Sequence, residues 1–145
     1  MPTVRKIQAP IMRIAPRKRV AAYARVSEVS ELLLHSLSTL VSYFSRLIQA
    51  NPEWEYAGVY ADEGVTGTST VHRDEFNRLM ADCDAGKIDI ILAKSISRFA
   101  RDTVDCLKAV RHLKGIGVEV RFERESISTF SSEGELLLTL LASFA

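Results

Sequence analysis

The chain has 145 residues, of which 47% are hydrophobic and 26% charged, values typical of one globular domain with a single core. No apolar stretch approaches the roughly 20 residues that a transmembrane helix needs. Arg5, Lys6 and Arg13 interrupt the N-terminal segment, which argues against a signal peptide. Cys83 and Cys106 lack the partner spacing of a metal site. The sequence therefore predicts a cytoplasmic protein with reduced cysteines and no membrane partner.

The net charge of +1 hides an uneven distribution. Residues 1–27 contain seven Lys and Arg and no acid, whereas the rest of the chain has twelve Lys and Arg against eighteen Asp and Glu, a balance of −6. Residues 1–18 also hold three of the four prolines and are expected to form a flexible basic leader. Because DNA-binding domains usually present a basic face, tight duplex binding is expected of a region outside this chain.

The first half of the chain has the pattern of strand, helix, strand and loop. Residues 19–25 form a short apolar run that predicts a buried strand. Apolar residues then recur at helical spacing from Glu31, with Ser30 as the expected cap. Residues 54–60 predict a second strand, and residues 62–71, with two glycines and no apolar periodicity, predict a loop.

The second half continues the alternation. Helices are predicted at 74–85 and 103–114, and strands at 88–93 and 118–122. Ser132 and Glu135 have the spacing of a capping box that opens a last, apolar helix. Strands that alternate with helices predict an α/β fold with a mostly parallel central sheet flanked by helices.

A set of arginines accompanies one early serine. Arg25 and Ser27 close the first strand in Tyr-Ala-Arg-Val-Ser, Arg73 follows the glycine-containing loop, and Arg98 and Arg101 follow the third strand. Guanidinium groups stay charged and match phosphate oxygens bidentately, so they can stabilise charge that develops on phosphorus. A hydroxyl among such groups suits attack on a phosphodiester. The sequence shows no paired carboxylates, no Cys/His cluster and no glycine-rich nucleotide loop, so we expect no metal and no cofactor.

These segments together resemble the catalytic domain of serine site-specific recombinases, the resolvase/invertase group. The resemblance rests on the order of YARVS, DEGVTGTS-x-x-x-R and SRFAR, and the last two segments are most similar to the large recombinases that act as integrases and transposases. It implies a resolvase-like catalytic domain at 19–132. It also implies the start of a long oligomerisation helix at 133–145, cut short here, with the DNA-binding region absent.

The resemblance implies a role for each polar residue of the set. Ser27 would be the nucleophile, although a lone serine after a strand is more often a turn or cap residue. The arginines match phosphate-contacting or catalytic positions; alternatively they are solvated or paired with Asp62 or Asp74. These arginines are Arg25, Arg73, Arg98 and Arg101.

Three further residues would support the site. Tyr23 is expected to be half-buried beside it. Asp62 would orient arginines or assist proton transfer, or simply pair with an arginine. Lys94 would contact phosphate or extend from a strand end. Leu40 stands where the resembled family usually has glutamine. Either this replacement changes the activity or the arrangement of subunits, or Leu40 is simply an apolar residue of the helix core.

The function implied is a DNA recombinase that needs neither metal nor ATP. Ser27 would become joined to the DNA end in site-specific recombination of a mobile element, with double-stranded DNA as substrate, a homodimer or tetramer as the assembly and no small-molecule substrate. The alternative is a non-catalytic α/β module in which the arginines only bind an anion on DNA or a protein.

Overall fold

The computed structural model describes residues 16–26, 31–63 and 73–144, with side chains at 16–26, 37–63 and 73–143. Its elements are β1 (Lys18–Val26), α1 (Glu31–Ala50), β2 (Trp54–Glu63), α2 (Asp74–Asp84), β3 (Ile90–Ala93), α3 (Ile96–Phe99), α4 (Thr103–Gly115), β4 (Glu119–Phe122), β5 (Ile127–Ser128) and α5 (Ser132–Phe144). The sheet has the order β2-β1-β3-β4-β5. Only β5 is antiparallel to its neighbour, so the predicted α/β fold is confirmed.

Several element boundaries differ from the prediction. β1 begins at Lys18, inside the predicted leader, and β2 continues through Asp62 and Glu63, where a loop was predicted. The extension follows from pairing, because Asp62 lies opposite Arg25 and Glu63 opposite Val26 in the parallel ladder. The elements α3 and β5 were missed, since four and two residues are too few to show a periodic pattern.

The sheet separates two apolar clusters. On one face, Phe44 and Ile48 of α1 pack against alternate β1 residues such as Val20 and Ala22. On the other face, α2, α4 and α5 cover the larger cluster, which includes Tyr23 and the buried aromatic rings of Phe76, Phe99 and Phe122. Burial of both faces explains why β3 is apolar at every position.

Leu40 belongs to the α1 face. It is partly buried and packs against the cluster formed by Phe44, Ile48 and β1. This packing supports the prediction that Leu40 is a residue of the helix core.

A bulge in β2 decides which β2 side chains reach each face. Val20 pairs with Tyr56, whereas the next residue, Ala21, pairs with Gly58, so one extra residue lies in β2. Gly58 has φ +130°, a conformation that L side chains rarely adopt. The bulge inverts the alternation of faces. Trp54, before it, packs on the α1 side, and Tyr60, after it, packs on the other.

The start of α5 differs from the predicted capping box. The Gly134 amide donates to Ser131 Oγ at 3.1 Å, which makes Ser131 the capping residue rather than Ser132. Ser132 is exposed and its hydroxyl donates to Glu133 at 3.2 Å. The Glu135 carboxylate accepts from Lys114 of α4 instead of from the helix start. A sequence pattern one residue away from the true cap was thus misread.

No helix in the described part of the chain is both long and apolar enough to cross a membrane.

Candidate active site

The carboxyl ends of β1 and β3 bring the candidate residues to one edge of the sheet. Tyr23 of β1 lies opposite Ala93, the last residue of β3, and Arg25 follows two residues later on the same face. The chain leaves β3 through Lys94 and Ser95 into the single turn α3. Ligands of open α/β sheets bind at this edge, so the arginines stand at a favoured position for a site.

Arg25 binds the backbone of α3. Its Nε donates to Arg98 O at 3.3 Å, and its Nη2 donates to Ala100 O at 3.3 Å and also to Ser97 O. These are carbonyls that the end of a helix leaves without helical partners. Burial lowers the pKa of the Arg25 guanidinium from its ordinary value, and the positive charges of Arg73 and Arg98 lower it further. The group remains a cation at neutral pH.

Arg73 precedes α2 and is buried, with 8% of its surface exposed. Its Nη1 donates to Asp105 Oδ2 at 2.5 Å and its Nη2 to Phe99 O at 2.6 Å. The guanidinium lies 3.7 Å from the ring centroid of Phe76. Among the buried side-chain nitrogen and oxygen atoms of the described residues, only Arg73 Nε has no hydrogen-bond partner. Protein groups therefore occupy both Nη atoms of Arg73.

Arg98 lies within α3 and Arg101 lies two residues after its end, beside the carbonyls that Arg25 and Arg73 bind. The Arg98 side chain is partly exposed and that of Arg101 is exposed, and no described residue accepts a hydrogen bond from either guanidinium. Their backbones are fixed: the Arg98 amide donates to Ser95 Oγ at 3.3 Å and the Arg101 amide to Asp105 Oδ2 at 2.9 Å. Both cations are thus held by their backbones and accessible to an anion.

Tyr23 is fully buried rather than half-buried as predicted. Its hydroxyl donates to Asp62 Oδ2 at 2.8 Å, and its ring makes edge contacts with Phe76 and Phe99. Burial, and then the bond to the Asp62 carboxylate, raise the pKa of Tyr23 far above the range in which it could ionise in a cell.

The Asp62 carboxylate binds the start of α2. Its two oxygens accept the Glu75 and Phe76 amides, each at 3.0 Å, in addition to the Tyr23 hydroxyl. Of the three roles expected of Asp62, pairing with an arginine and orienting an arginine have no supporting contact among the described residues, and assistance to proton transfer stays a prediction. An anion at a helix N-terminus is favoured by the helix dipole and by the free amides there.

Lys94 is directed away from the arginines. Its Nζ donates to Glu123 Oε1 at 2.6 Å and lies 5.2 Å from the Tyr43 ring centroid, on the α1 side of the sheet. Tyr43 also donates to Glu123. The structure therefore does not bring Lys94 to the site with Arg25 and Arg73.

Ser27 lies outside the described residues, as do Ser30 and most of the predicted loop between β2 and α2. Ser27 follows Val26, the last residue of β1, directly in the chain. No group of three or more His, Cys, Asp or Glu side chains suited to a metal ion occurs in the described part of the chain.

Asp105 and Ser95 contact the candidate site residues, and the sequence did not reveal either of them. Ser95 is 1% exposed and caps α3, and Asp105 binds both Arg73 and the Arg101 amide. Burial works against the charged form of Asp105, but the Arg101 amide and the Arg73 guanidinium outweigh it and hold its pKa below the ordinary value. An acid in the first turn of a helix is common, so nothing in the sequence distinguished Asp105.

The family to which this chain belongs follows from a match to a protein-family model. The family model of the resolvase N-terminal domain matches residues 20–145. The chain belongs to that family. The expected resemblance to serine recombinases is therefore confirmed.

Individual relatives agree with this assignment. The Tn3 transposon resolvase of Escherichia coli is 30% identical over 127 residues, which cover 88% of this chain and 62% of that protein. The chain spans less than two thirds of the length of the curated relatives it matches.

Solved structures show the same fold. A resolvase-family site-specific recombinase from Streptococcus pneumoniae aligns with a TM-score of 0.73 and 30% identity, over 88% of this chain and 85% of that one. The N-terminal catalytic domain of TP901-1 integrase aligns with a TM-score of 0.66 and 26% identity, over 88% of this chain and 93% of that one. Members of both the resolvase and the integrase type are thus similar to this chain.

Proposed function

We propose that this resolvase-family chain is the catalytic domain of a DNA recombinase in which Ser27 is the nucleophile. The Ser27 hydroxyl loses its proton and attacks a DNA phosphate, and the bond from phosphorus to one sugar oxygen breaks. That oxygen leaves as a hydroxyl, and the DNA end stays joined to Ser27. The covalent link conserves the bond energy, so the hydroxyl of a partner strand can reverse the step and rejoin the DNA.

The observation that carries this proposal is the bonding of Arg25 to the α3 turn. By binding the carbonyls of Arg98 and Ala100, Arg25 joins the end of β1 to the segment that carries Arg98 and Arg101. Ser27 is the second residue after Arg25 in the chain. Arg25 and this segment thus meet at the strand end that leads into the proposed nucleophile, where Arg25, Arg98 and Arg101 would bind the attacked phosphate and its developing charge.

The four arginines have three roles under this proposal. Arg98 and Arg101, whose guanidiniums meet no described acceptor, would contact phosphate oxygens directly, and Arg25 would share its donors between the turn and the phosphate. Arg73 would reach phosphate only if an Nη atom left Asp105 or Phe99; as it stands it supplies charge and support. Tyr23 and Asp62 would support the site by fixing β1, β2 and the start of α2, and Lys94 would support it only from the opposite face.

We further propose double-stranded DNA as the substrate, in site-specific recombination of a mobile element by a dimer or tetramer. The exposed leucines of α5 support self-association. The domain would work in the cytoplasm, where the buried thiols Cys83 and Cys106 stay free. Residues 1–18 would act as a basic leader, 19–132 as the catalytic unit and 133–145 as the start of the oligomerisation helix.

The test is capture of the covalent intermediate. The complete protein that carries this domain is incubated with its DNA site, and protein-linked DNA ends are separated under denaturing conditions. Ser27→Ala should abolish the adduct while site binding and folding persist, and the matched variant Ser30→Ala should keep it. An adduct that survives in Ser27→Ala but is lost in Ser30→Ala would refute the assignment. Absence of an adduct from every form would favour the non-catalytic anion-binding module.

The proposed arginine mechanism also predicts that formation of the adduct needs no metal ion. If guanidinium groups alone balance the phosphate charge, adduct formation should continue in excess EDTA. Loss of the adduct in EDTA, with recovery on adding magnesium, would assign phosphate activation to a metal ion instead.

A further inference from the structure

Asp105 connects the buried Arg73 to the segment that carries Arg101, one of the proposed phosphate-binding arginines. Its Oδ2 accepts from Arg73 Nη1 at 2.5 Å and from the Arg101 amide at 2.9 Å. Arg73 Nη2 donates to Phe99 O, two residues before Arg101, at 2.6 Å. These bonds close a ring through Phe99 O, the Arg73 guanidinium, the Asp105 carboxylate and the Arg101 amide, which we call the Asp105 clamp.

The clamp acts on the two arginines differently. Arg73 is buried and is also fixed over the Phe76 ring, so its guanidinium has little freedom. Arg101 is held only through its backbone amide, and its side chain is exposed. Asp105 therefore sets the place from which the Arg101 side chain extends, although it does not contact the Arg101 guanidinium.

The opposite side of the same turn is held by Arg25. Arg25 binds the carbonyls of Ser97, Arg98 and Ala100, and Arg73 binds the carbonyl between them, that of Phe99. Four consecutive carbonyls are thus held by two guanidiniums. Among the described residues, Arg73 but not Arg25 is paired with an acid, so Asp105 anchors the end of this segment, while Glu125 accepts the Ile96 amide at its start at 3.2 Å.

We propose that Asp105 is a positioning residue for DNA cleavage, holding the segment from Phe99 to Arg101, which directly follows Arg98, so that Arg98 and Arg101 address one phosphate. This inference rests on the proposed function. Positioning of reacting groups contributes strongly to rate, and small displacements are costly. The competing explanation is that Asp105 only neutralises the buried Arg73 charge. In that case its removal would leave more positive charge near the phosphate and would strengthen DNA attraction.

The two explanations are separated by Asp105→Asn, which keeps the size of the side chain and removes its charge. Positioning predicts that adduct formation at saturating DNA slows by about 10- to 100-fold, the range expected for loss of a charge-assisted hydrogen bond. The DNA concentration that gives half the maximal rate should stay within about twofold, because Asp105 binds Arg73 and the Arg101 amide and would not itself contact phosphate. Asp105→Glu, which retains the carboxylate, should recover part of the rate.

The matched control is Asp102→Ala. Asp102 caps α4, the helix that contains Asp105, by accepting the Asp105 amide at 2.8 Å, and its side chain contacts no described arginine. Its removal should weaken the start of α4 and leave the rate at saturating DNA within about twofold. An equal loss of rate in Asp102→Ala, or a tighter half-saturation with an undiminished rate in Asp105→Asn, would overturn the positioning role.

An NMR measurement on this chain separates failure of the inference from failure of the proposed function. In 15N-labelled protein, the Arg73 guanidinium protons should exchange slowly with water in the wild type and in Asp102→Ala, and quickly in Asp105→Asn. Fast exchange in all three would overturn the clamp. If the wild type forms no adduct but the exchange pattern holds, the proposed function fails whereas the clamp itself is supported.

Discussion

At the scale of single residues, two charged groups of the candidate site bind backbone atoms at helix ends. Asp62 accepts two amides at the start of α2, and Arg25 donates to carbonyls at the end of α3. Buried charges are stable only when hydrogen bonds replace the lost water. The amides at the start of α2 and the carbonyls at the end of α3 supply these hydrogen bonds.

Asp62→Asn should lower the free energy of unfolding by about 1–3 kcal/mol, because the amide nitrogen cannot accept and one buried donor loses its partner. Tyr23→Phe is the matched variant: it removes only the hydroxyl that donates to Asp62 and should cost about 0.5–1.5 kcal/mol. Urea denaturation measures both. An Asn variant as stable as the wild type would contradict the role of Asp62 at the start of α2.

Asp105 should make stability depend on pH. The pKa of Asp105 in the folded protein lies below its ordinary value. The ionised carboxylate therefore stabilises the folded protein at pH values above the ordinary pKa, and this stabilisation is lost as the pH falls through the folded pKa. The difference in free energy of unfolding between wild type and Asp105→Asn should therefore be largest near pH 7 and should shrink below about pH 4. Denaturation series at several pH values measure this difference. A difference that stays constant down to about pH 3 would show that the carboxylate charge contributes nothing.

At the scale of elements, close approach between segments determines details that propensity does not. The β2 bulge at Gly58 sends Tyr60 and Asp62 to the face that holds Tyr23. The start of α5 is likewise pressed against the turn after β5. A Cβ added to Gly134 would lie 2.3 Å from Ser128 O and 2.7 Å from Thr129 Cα, both backbone atoms.

Gly134→Ala should destabilise the protein by about 1–3 kcal/mol, although alanine is the better helix former, because backbone atoms cannot yield cheaply. Gly115→Ala is the control, since a Cβ at this last residue of α4 meets nothing within 4 Å. It should be neutral or stabilising by up to about 1 kcal/mol. Thermal unfolding compares the two variants. Equal effects would mean that the contact between Gly134 and the turn does not constrain the fold.

At the scale of the whole molecule, α5 presents two apolar faces. Leu137 is buried against α4 and the sheet, and Leu141 is partly buried, whereas Leu136 and Leu140 are 59% and 49% exposed. Residues four positions apart lie on the same side of a helix, so the exposed pair forms a continuous stripe. A stripe of this kind is typical of a surface that a partner covers.

Replacing both Leu136 and Leu140 by Glu should weaken self-association by about tenfold or more, because burial of each leucine contributes roughly 1.5–3 kcal/mol. Sedimentation velocity over a range of concentrations measures this. Ala142→Glu adds one negative charge, half that of the double variant, to an exposed position away from the stripe and should leave association unchanged. A wild-type chain that remains monomeric at the highest concentration would exclude α5 as a self-association surface.

The sequence alone determined the alternation of strands and helices, the parallel sheet and the set of arginines, because periodicity and motif order are local properties of the chain. Only the tertiary structure decided how the charges are used: Arg73 binds Asp105, Asp62 binds the start of α2, and Lys94 turns to the other face. Each of these contacts joins residues far apart in sequence, and the β2 bulge decides the face for Asp62. Hydrogen bonding in a buried site depends on which acceptor lies within about 3 Å, and sequence spacing does not carry that distance.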